Sequence, residues 1–370
     1  MASHIQTDVL ILGGGPAGAA AALCLLTHTK LRVIIVESGA FEGGRVGEHV
    51  EASIFDLLKY LKISREELDK EGIIEGYDSL AAWGSDHITS RHSIYNIEGS
   101  SYQLDRDIFD PFLVTQVAAR GGQLFPNTKA LHFNQAENGD WSVPLRHKTK
   151  GNFTIDARFL VDATGRQGQV CRYLGLAREK HDELVGIGAY LHVRHDELLA
   201  QRILLETAEQ GWWYCATLPG RRLVATLFTD ADLTKKHKWQ QAVNWTKLLS
   251  STRHLRHLTD GTVAYGKPWV RNAFSQFTET GSRTNFLAVG DAAAAFDPVS
   301  SMGIGFAISS ACHAAIAIHQ FLLGDETGVV LYRGDIAKHY NQYLQLRLSY
   351  YKNEQRWQDS PFWQRRLAKN

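Results

Sequence analysis

Cysteine is scarce in this chain of 370 residues. The four present are Cys24, Cys171, Cys215 and Cys312, and no two are spaced as a metal-ligand pair. That argues against a disulfide-built scaffold and offers no metal site. The thiols read as small hydrophobes in a reducing compartment, so the expected location is cytoplasmic. An excess of either charge is missing too. Lys and Arg number 40 against 39 Asp and Glu, a formal net charge of +1, which removes any general reason to expect nucleic acid or an anionic membrane as partner. The N-terminal MASHIQTDVLILGGG has no basic segment before its apolar run, so no signal peptide is expected. No membrane span is expected either. The best candidate, residues 303–323, is interrupted by Ser309, Ser310, His313, His319 and Gln320 and reads as a buried helix. Repeats and low-complexity segments are absent. What the chain does have is length and 44% hydrophobic residues, enough for a large core shared between two domains.

The first fifty residues carry the strongest signal. Residues 8–12 (DVLIL) are a buried strand, Gly13, Gly15 and Gly18 spell G-x-G-x-x-G, a helix of small residues follows, and 32–36 (RVIIV) form a second strand ending at Glu37. This is a βαβ unit with an acid about 20 residues beyond the glycines. Gly13 permits the tight turn, Gly15 lets the backbone approach a pyrophosphate, and Gly18 lets helix and sheet pack. With Pro16 and Ala17 they open a helix whose free N–H groups meet phosphates. Glu37, with Ser38 beside it, is placed for a ribose hydroxyl. Its charge disfavours the 2′-phosphate of NADP, which leaves NAD and FAD. A glycine turn without a nucleotide is the plainer alternative.

Later segments extend this site. Residues 39–48 (GAFEGGRVGE) read as a loop passing over the nucleotide, with Arg45 facing either a phosphate, the cofactor ring or solvent. Residues 101–113 (SYQLDRDIFDPFL) read as a strand end and a helix capped by Asp105 and buried along Phe109, Phe112 and Leu113. Arg106, in the first turn, opposes the helix dipole, and a cofactor phosphate would explain it. Residues 157–168 (ARFLVDATGRQG) read as a strand ending in a turn that brings Asp162 near the nucleotide. In 285–307 (NFLAVGDAAAAFDPVSSMGIGFA), Gly290 marks a close approach and Asp291 is placed to accept from a cofactor hydroxyl, a structural carboxylate being the alternative. Pro298 makes a rigid turn, and Gly303, Ile304 and Gly305 open a helix of small residues.

Together GGGPAG, LDRDIFD at 104–110, DATG at 162–165 and GDAAAAFDPVSSMG at 290–303 resemble the FAD-dependent monooxygenases of the p-hydroxybenzoate hydroxylase type, over nearly the whole chain. The resemblance implies an α/β fold of the glutathione reductase type. A Rossmann-like FAD-binding domain would comprise residues 1–75, 100–175 and 280–325, a second, mixed β-sheet substrate domain residues 76–99 and 176–279, and a C-terminal helical segment residues 326–370. It also implies that Gly13, Gly15, Pro16, Ala17, Gly18, Glu37 and Ser38 hold the ADP part of FAD. Arg45 and Arg106 would lie toward the pyrophosphate, with Asp162, Gly290 and Asp291 toward the ribitol. Pro298, Gly303, Ile304 and Gly305 would lie beside the flavin ring, the helix N–H groups stabilising a reduced, anionic flavin.

Within that superfamily, RVGE at 45–48 and the tail YYKNEQRWQDSPFWQRR at 350–366 resemble the flavin-dependent halogenase branch. There are departures. Residues 71–103 hold no lysine, where halogenases place one. Ser300 and Ser301 stand where tryptophan halogenases carry Glu-Ser, and the W-x-W-x-I-P signature is absent. The same loop and tail, with GWWY in a short chain, resemble the maturation flavoproteins of cysteine tryptophylquinone oxidases, the partners of lysine ε-oxidase and glycine oxidase. That implies oxygenation of a tryptophan in the precursor of such an amino-acid oxidase. O2 would be co-substrate, and electrons would come from NAD(P)H or a separate flavin reductase. The competing readings are a hydroxylase or halogenase of a small or carrier-bound aromatic, a prenyl-chain reductase, and a non-enzymatic FAD-binding chaperone.

The substrate side is read from residues 185–193 and 221–229 as strands, with QGWWYCATLPG at 210–220 between them and a turn at Pro219–Gly220. Alternation places Trp212 and Tyr214 on one face and Trp213 and Cys215 on the other. Trp213 is then the core residue, and Trp212 and Tyr214 face the cavity. Residues 236–258 read as a helix with Trp239, Val243 and Leu248, its lysines a solvated face. No catalytic dyad stands out. The candidates are His87, His92, Trp212 and Tyr214, with Asp86 and Asp297 as further proton handlers, a structural or surface role being the simpler reading of each.

Overall fold

A computed structural model describes residues 4–40, 46–68, 72–76, 78–92, 101–193, 202–281 and 285–367. Arg45 lies outside them, as does the side chain of His92. The fold opens on strand β1 (His4–Leu12), helix α1 (Pro16–His28) and strand β2 (Val33–Val36). The VIIV run of β2 is buried along its whole length, as a strand covered on both faces requires. β2 and β1 pair in parallel, and β1 pairs in parallel with the later strand Gly151–Asp162. An eight-stranded sheet grows around this centre, with Gln123–Phe125 beyond β2 and Phe286–Ala288 beside Gly151–Asp162. Helix α2 (Arg106–Ala119) is capped by Asp105, whose carboxylate accepts from the backbone N–H of Asp107 at 3.0 Å. The strand Gly151–Asp162 is β3.

The second sheet has seven strands among the described residues. Its middle is built from β4 (Leu184–His192), β5 (Gly211–Leu218), β6 (Arg222–Asp230) and β7 (Val263–Asn272), in the spatial order β7-β4-β6-β5. Arg202–Ala208 pairs antiparallel with β5 and parallel with Asp78–Ala82, which makes the sheet mixed. The expected fold class is therefore found: a Rossmann-like sheet, parallel at its centre with an antiparallel edge, and a second, mixed sheet.

Helix α3 (Gly303–Leu322) packs on α1, and α4 (Thr327–Lys352) packs on α3. The small side chains of α1, Ala17 to Leu25 all buried, permit that close layer. By length and composition α3 is the one helix among the described residues apolar enough to cross a membrane, yet here it lies in the core. A last helix, α5 (Pro361–Leu367), buries Phe362 and Trp363 against the second sheet. The single helix expected at 236–258 is not formed. Three short helices, Ala231–His237, Ala242–Ser250 and Leu255–Leu258, take its place. Lys238 adopts a left-handed conformation between the first two, and Trp245 turns inward while Val243 is exposed.

Candidate active site

The nucleotide half of the site is set by contacts between glycines and neighbouring backbone. Gly13 has φ +103°, and a Cβ there would come within 2.3 Å of the Ala163 carbonyl oxygen. A Cβ on Gly18 would meet the Gly13 carbonyl oxygen at 1.9 Å. Helix α1 begins at Pro16 with no side chain capping its N–H groups, after Gly15 in extended conformation. Glu37 Oε2 accepts from the Gly14 N–H at 2.8 Å, while Oε1 takes the Gly39 N–H and the Ser38 hydroxyl. At the far end, Gly290 presses against Ala17, and Asp291 pairs with Arg166 at 3.3 Å. Pro298 opens a short 3-10 turn capped by Asp297, and α3 follows with no side-chain cap at its N-terminus. Cβ atoms added to Gly303 or Gly305 would meet nothing within 4 Å. A helix start with free N–H groups, bordered by open space, is the cradle a flavin ring requires. The residues present fit FAD.

Two expected ligands are corrected. Asp162 is fully buried. Its Oδ1 takes the N–H and hydroxyl of Thr164, and its Oδ2 takes the Cys171 N–H at 2.9 Å. It shapes the DATG turn from within. Arg106 is buried and committed to protein. Nε and Nη2 grip the Asp110 carboxylate at 2.7 and 2.8 Å, and Nη1 donates to the carbonyls of Val46 and Gly47. Its cation is explained by Asp110 one turn on and by the loop it fastens, not by a phosphate.

The candidate catalytic residues separate. His87 is exposed on a loop, its N–H facing the Ser85 hydroxyl, and neighbouring Asp86 forms ion pairs with Arg253 and Arg356. Trp212 is corrected as well. It shares the face of Tyr214 but is sealed, stacked on Phe228 at 4.2 Å with its Nε1–H on the Tyr351 hydroxyl at 3.1 Å. Trp213 is core on the other face, edge-on to Trp245. Tyr214 stays a candidate, because its buried hydroxyl has no hydrogen-bond partner.

Strand register explains where Tyr214 lies. Tyr214 pairs with Thr226, Thr226 with Gly188, and Gly188 with Trp269, one row across β5, β6, β4 and β7. Cross-strand partners share a face, so this row is a floor with aromatic rings at both ends. Gly188 makes room for the Trp269 ring, which a Cβ would strike at 2.3 Å. Tyr190 lies on the same face and packs with Tyr214 and Trp269. The loop that Arg106 fastens leads into Glu48, whose backbone carbonyl accepts from the Leu104 N–H at 2.7 Å and whose charge is felt by the Tyr214 and Tyr190 phenols of this floor.

Glu48 is the residue that sequence reasoning missed. It is 4% exposed, and its Oε1 has no partner among the described residues. Burial pushes its carboxyl up to about 7 although the Arg106 cation pulls the other way. Its charge in turn helps hold the Tyr214 and Tyr190 phenols well above their usual range, behind burial as the main cause. The only signal in the sequence was its place in RVGE. Beside it, an ion pair between Arg222 of β6 and Asp105 joins the second sheet to the start of α2.

Behind the flavin cradle, Asp297 is fully buried and accepts from the Tyr351 hydroxyl at 2.7 Å and from Arg347 at 3.3 Å. Burial raises its carboxyl despite Arg347. Tyr343 accepts the Asp297 N–H at 2.7 Å. The loop beside the cradle is thus fastened by three residues of α4.

The sequence profile of the FAD-binding domain family matches residues 6–335. The chain belongs to that family. LodB of Marinomonas mediterranea, described as an FAD-dependent oxidoreductase, is 40% identical over 98% of this chain and 97% of its own length. Among solved structures, the flavin-dependent halogenase CmlS superposes with a TM-score of 0.87 at 24% identity, covering 99% of this chain and 68% of that one. The peptidyl tryptophan dihydroxylase QhpG, essential for tryptophylquinone cofactor biogenesis, superposes at 0.72 with 21% identity, covering 98% and 79%. This FAD-binding protein is an FAD-dependent oxidoreductase. FAD is its cofactor, reduced by an external donor, with O2 as co-substrate. When bound, the flavin supplies what no side chain can: it takes up two electrons and makes dioxygen reactive.

Proposed function

We propose that this flavoprotein oxygenates an electron-rich aromatic ring, and that the ring is the indole of a tryptophan in the precursor of a cysteine tryptophylquinone amino-acid oxidase. The observation that carries the aromatic reading is the row of Tyr214, Thr226 and Trp269 on one sheet face, with a buried carboxylate, Glu48, near enough for its charge to act on Tyr214. Rings stack on such a surface, and the polar groups at its edge orient them. The peptidyl-tryptophan reading is supported by the shared fold with QhpG. The higher TM-score against CmlS favours a second reading, halogenation or hydroxylation of a small or carrier-bound aromatic. The absence of lysine from residues 71–103 speaks against halogenation.

The test is coexpression with a candidate precursor, FAD and a flavin reductase, read by intact mass. A gain of one or more oxygen atoms on a precursor tryptophan is expected. An unchanged precursor beside an oxygenated or halogenated small phenol or indole establishes the second reading instead.

A further inference from the structure

Proton handling at the aromatic floor falls to one carboxylate. Every other buried acid near the cradle is committed. Asp110 holds Arg106, Asp162 holds its turn, and Asp297 holds Tyr351 and Arg347. Glu48 alone among these leaves an oxygen buried and unpaired. Leaving such an acceptor unsatisfied costs about 1–3 kcal/mol, more when it is charged, so native structures keep one chiefly where something else fills it. The Tyr214 hydroxyl, near enough to feel the Glu48 charge, is also buried and unpaired.

We propose that Glu48 is the proton-accepting catalytic residue of this site, taking the N–H proton of an indole, or the O–H proton of a phenol, that lies on the Tyr214–Trp269 floor, with Tyr214 as the positioning residue beside it. This rests on the aromatic-oxygenation reading. As the new C–O bond forms and the O–O bond breaks, the second oxygen leaving at the level of water, the N–H bond electron pair passes into the ring and its proton goes to Glu48 Oε1. The C–H proton of the oxygenated carbon then leaves as aromaticity returns, and the nitrogen is reprotonated. The balance is ArH + O2 + two electrons + two protons giving ArOH + H2O, with the electrons drawn from the external donor to FAD.

Of the groups around Glu48, Arg106 stays cationic and the raised phenols of Tyr190 and Tyr214 stay neutral. Asp105 pairs with Arg222, and His49 contacts Glu51 and Gln103, so H49N distinguishes the imidazole from the carboxylate.

The test uses the FAD-loaded protein and two probes, N-acetyltryptophanamide and its 1-methyl analogue, with binding read from the bound-flavin absorption spectrum between pH 5.5 and 8.5. Binding of the N–H probe is expected to tighten about tenfold as Glu48 ionises, the worth of a hydrogen bond to a charged group. The 1-methyl probe is expected to show no such change. E48Q should flatten the dependence while retaining FAD, and H49N should keep it. A dependence that survives E48Q, or one shared by the 1-methyl probe, overturns the proposal. So does failure of both probes to perturb the flavin at any pH. Should E48Q lose FAD, Y214F serves, with weaker N–H probe binding at every pH and the same midpoint expected; an unchanged affinity overturns Tyr214's part. An intact titration with no oxygenated product counts against the proposed reaction and leaves Glu48 assigned as the acceptor.

Discussion

Glu48 holds its proton near neutral pH because charging it means placing an anion where no water and too few donors meet it. Its folded value, about 7, lies above the ordinary 4.5, so between those limits the native state binds more protons than the unfolded chain. Stability from this group is fully present below the unfolded value and is lost as pH rises through the folded one. E48Q cannot ionise and escapes the loss. By urea denaturation of the apo-protein it should match wild type near pH 4.5 and exceed it at pH 8 by on the order of 3 kcal/mol. Asp162 differs in that both of its oxygens are hydrogen-bonded. Asp162→Ala strands the N–H groups of Thr164 and Cys171 and should cost about 2–4 kcal/mol by the same measurement. The DATG run made Asp162 legible as part of a cofactor turn. It did not reveal that the carboxylate points inward, since that follows from Cys171 folding back over the turn. Arg106 was misread for a related reason: the dipole argument saw its charge but not that Asp110 and two carbonyls had already met it.

At the scale of elements, the βαβ opening and the two-sheet plan were legible because both rest on local rules. A fully apolar run between turns has to be covered on both faces, and alternation along residues 211–218 fixes which tryptophan shares a face with Tyr214. Register is not local. That Gly188 lies between Thr226 and Trp269 appears only when β4, β6 and β7 are aligned. Gly188→Ala should therefore displace the Trp269 ring and cost about 1–3 kcal/mol, seen as a lowered denaturation midpoint and altered tryptophan fluorescence. At the start of α3 the expectation reverses. Gly303→Ala meets open space in the apo-protein, so thermal melting should be unchanged or slightly raised. The added methyl group would intrude on the flavin cradle, and FAD affinity measured by fluorescence titration should fall at least about tenfold, roughly 1.4 kcal/mol.

At the scale of the molecule, the second sheet is tied to helix α2 by the Arg222–Asp105 pair and to the other core by helices α4 and α5. Phe362 and Trp363 are fully buried, Arg366 pairs with Asp230 at 2.7 Å, and the Trp363 Nε1–H meets the Ala208 carbonyl at 2.9 Å. Deleting residues 353–370 removes two large core rings worth about 3–5 kcal/mol each. The truncated chain should be insoluble or bind dye as a loosened state, checked by near-ultraviolet circular dichroism. The tail's helical nature could be read from its sequence. Its hold on Asp297, across more than forty residues, could not. That hold also sets an order of events. Ribosomes extend a chain by about 5–20 residues per second, and the βαβ unit emerges early, able to pair its strands while the rest is still being made. Tyr343, Arg347 and Tyr351 lie on α4, far downstream of that unit. The loop beside the flavin cradle therefore stays unlocked until α4 has been made, and completion of the cradle waits on α4 rather than on the βαβ unit.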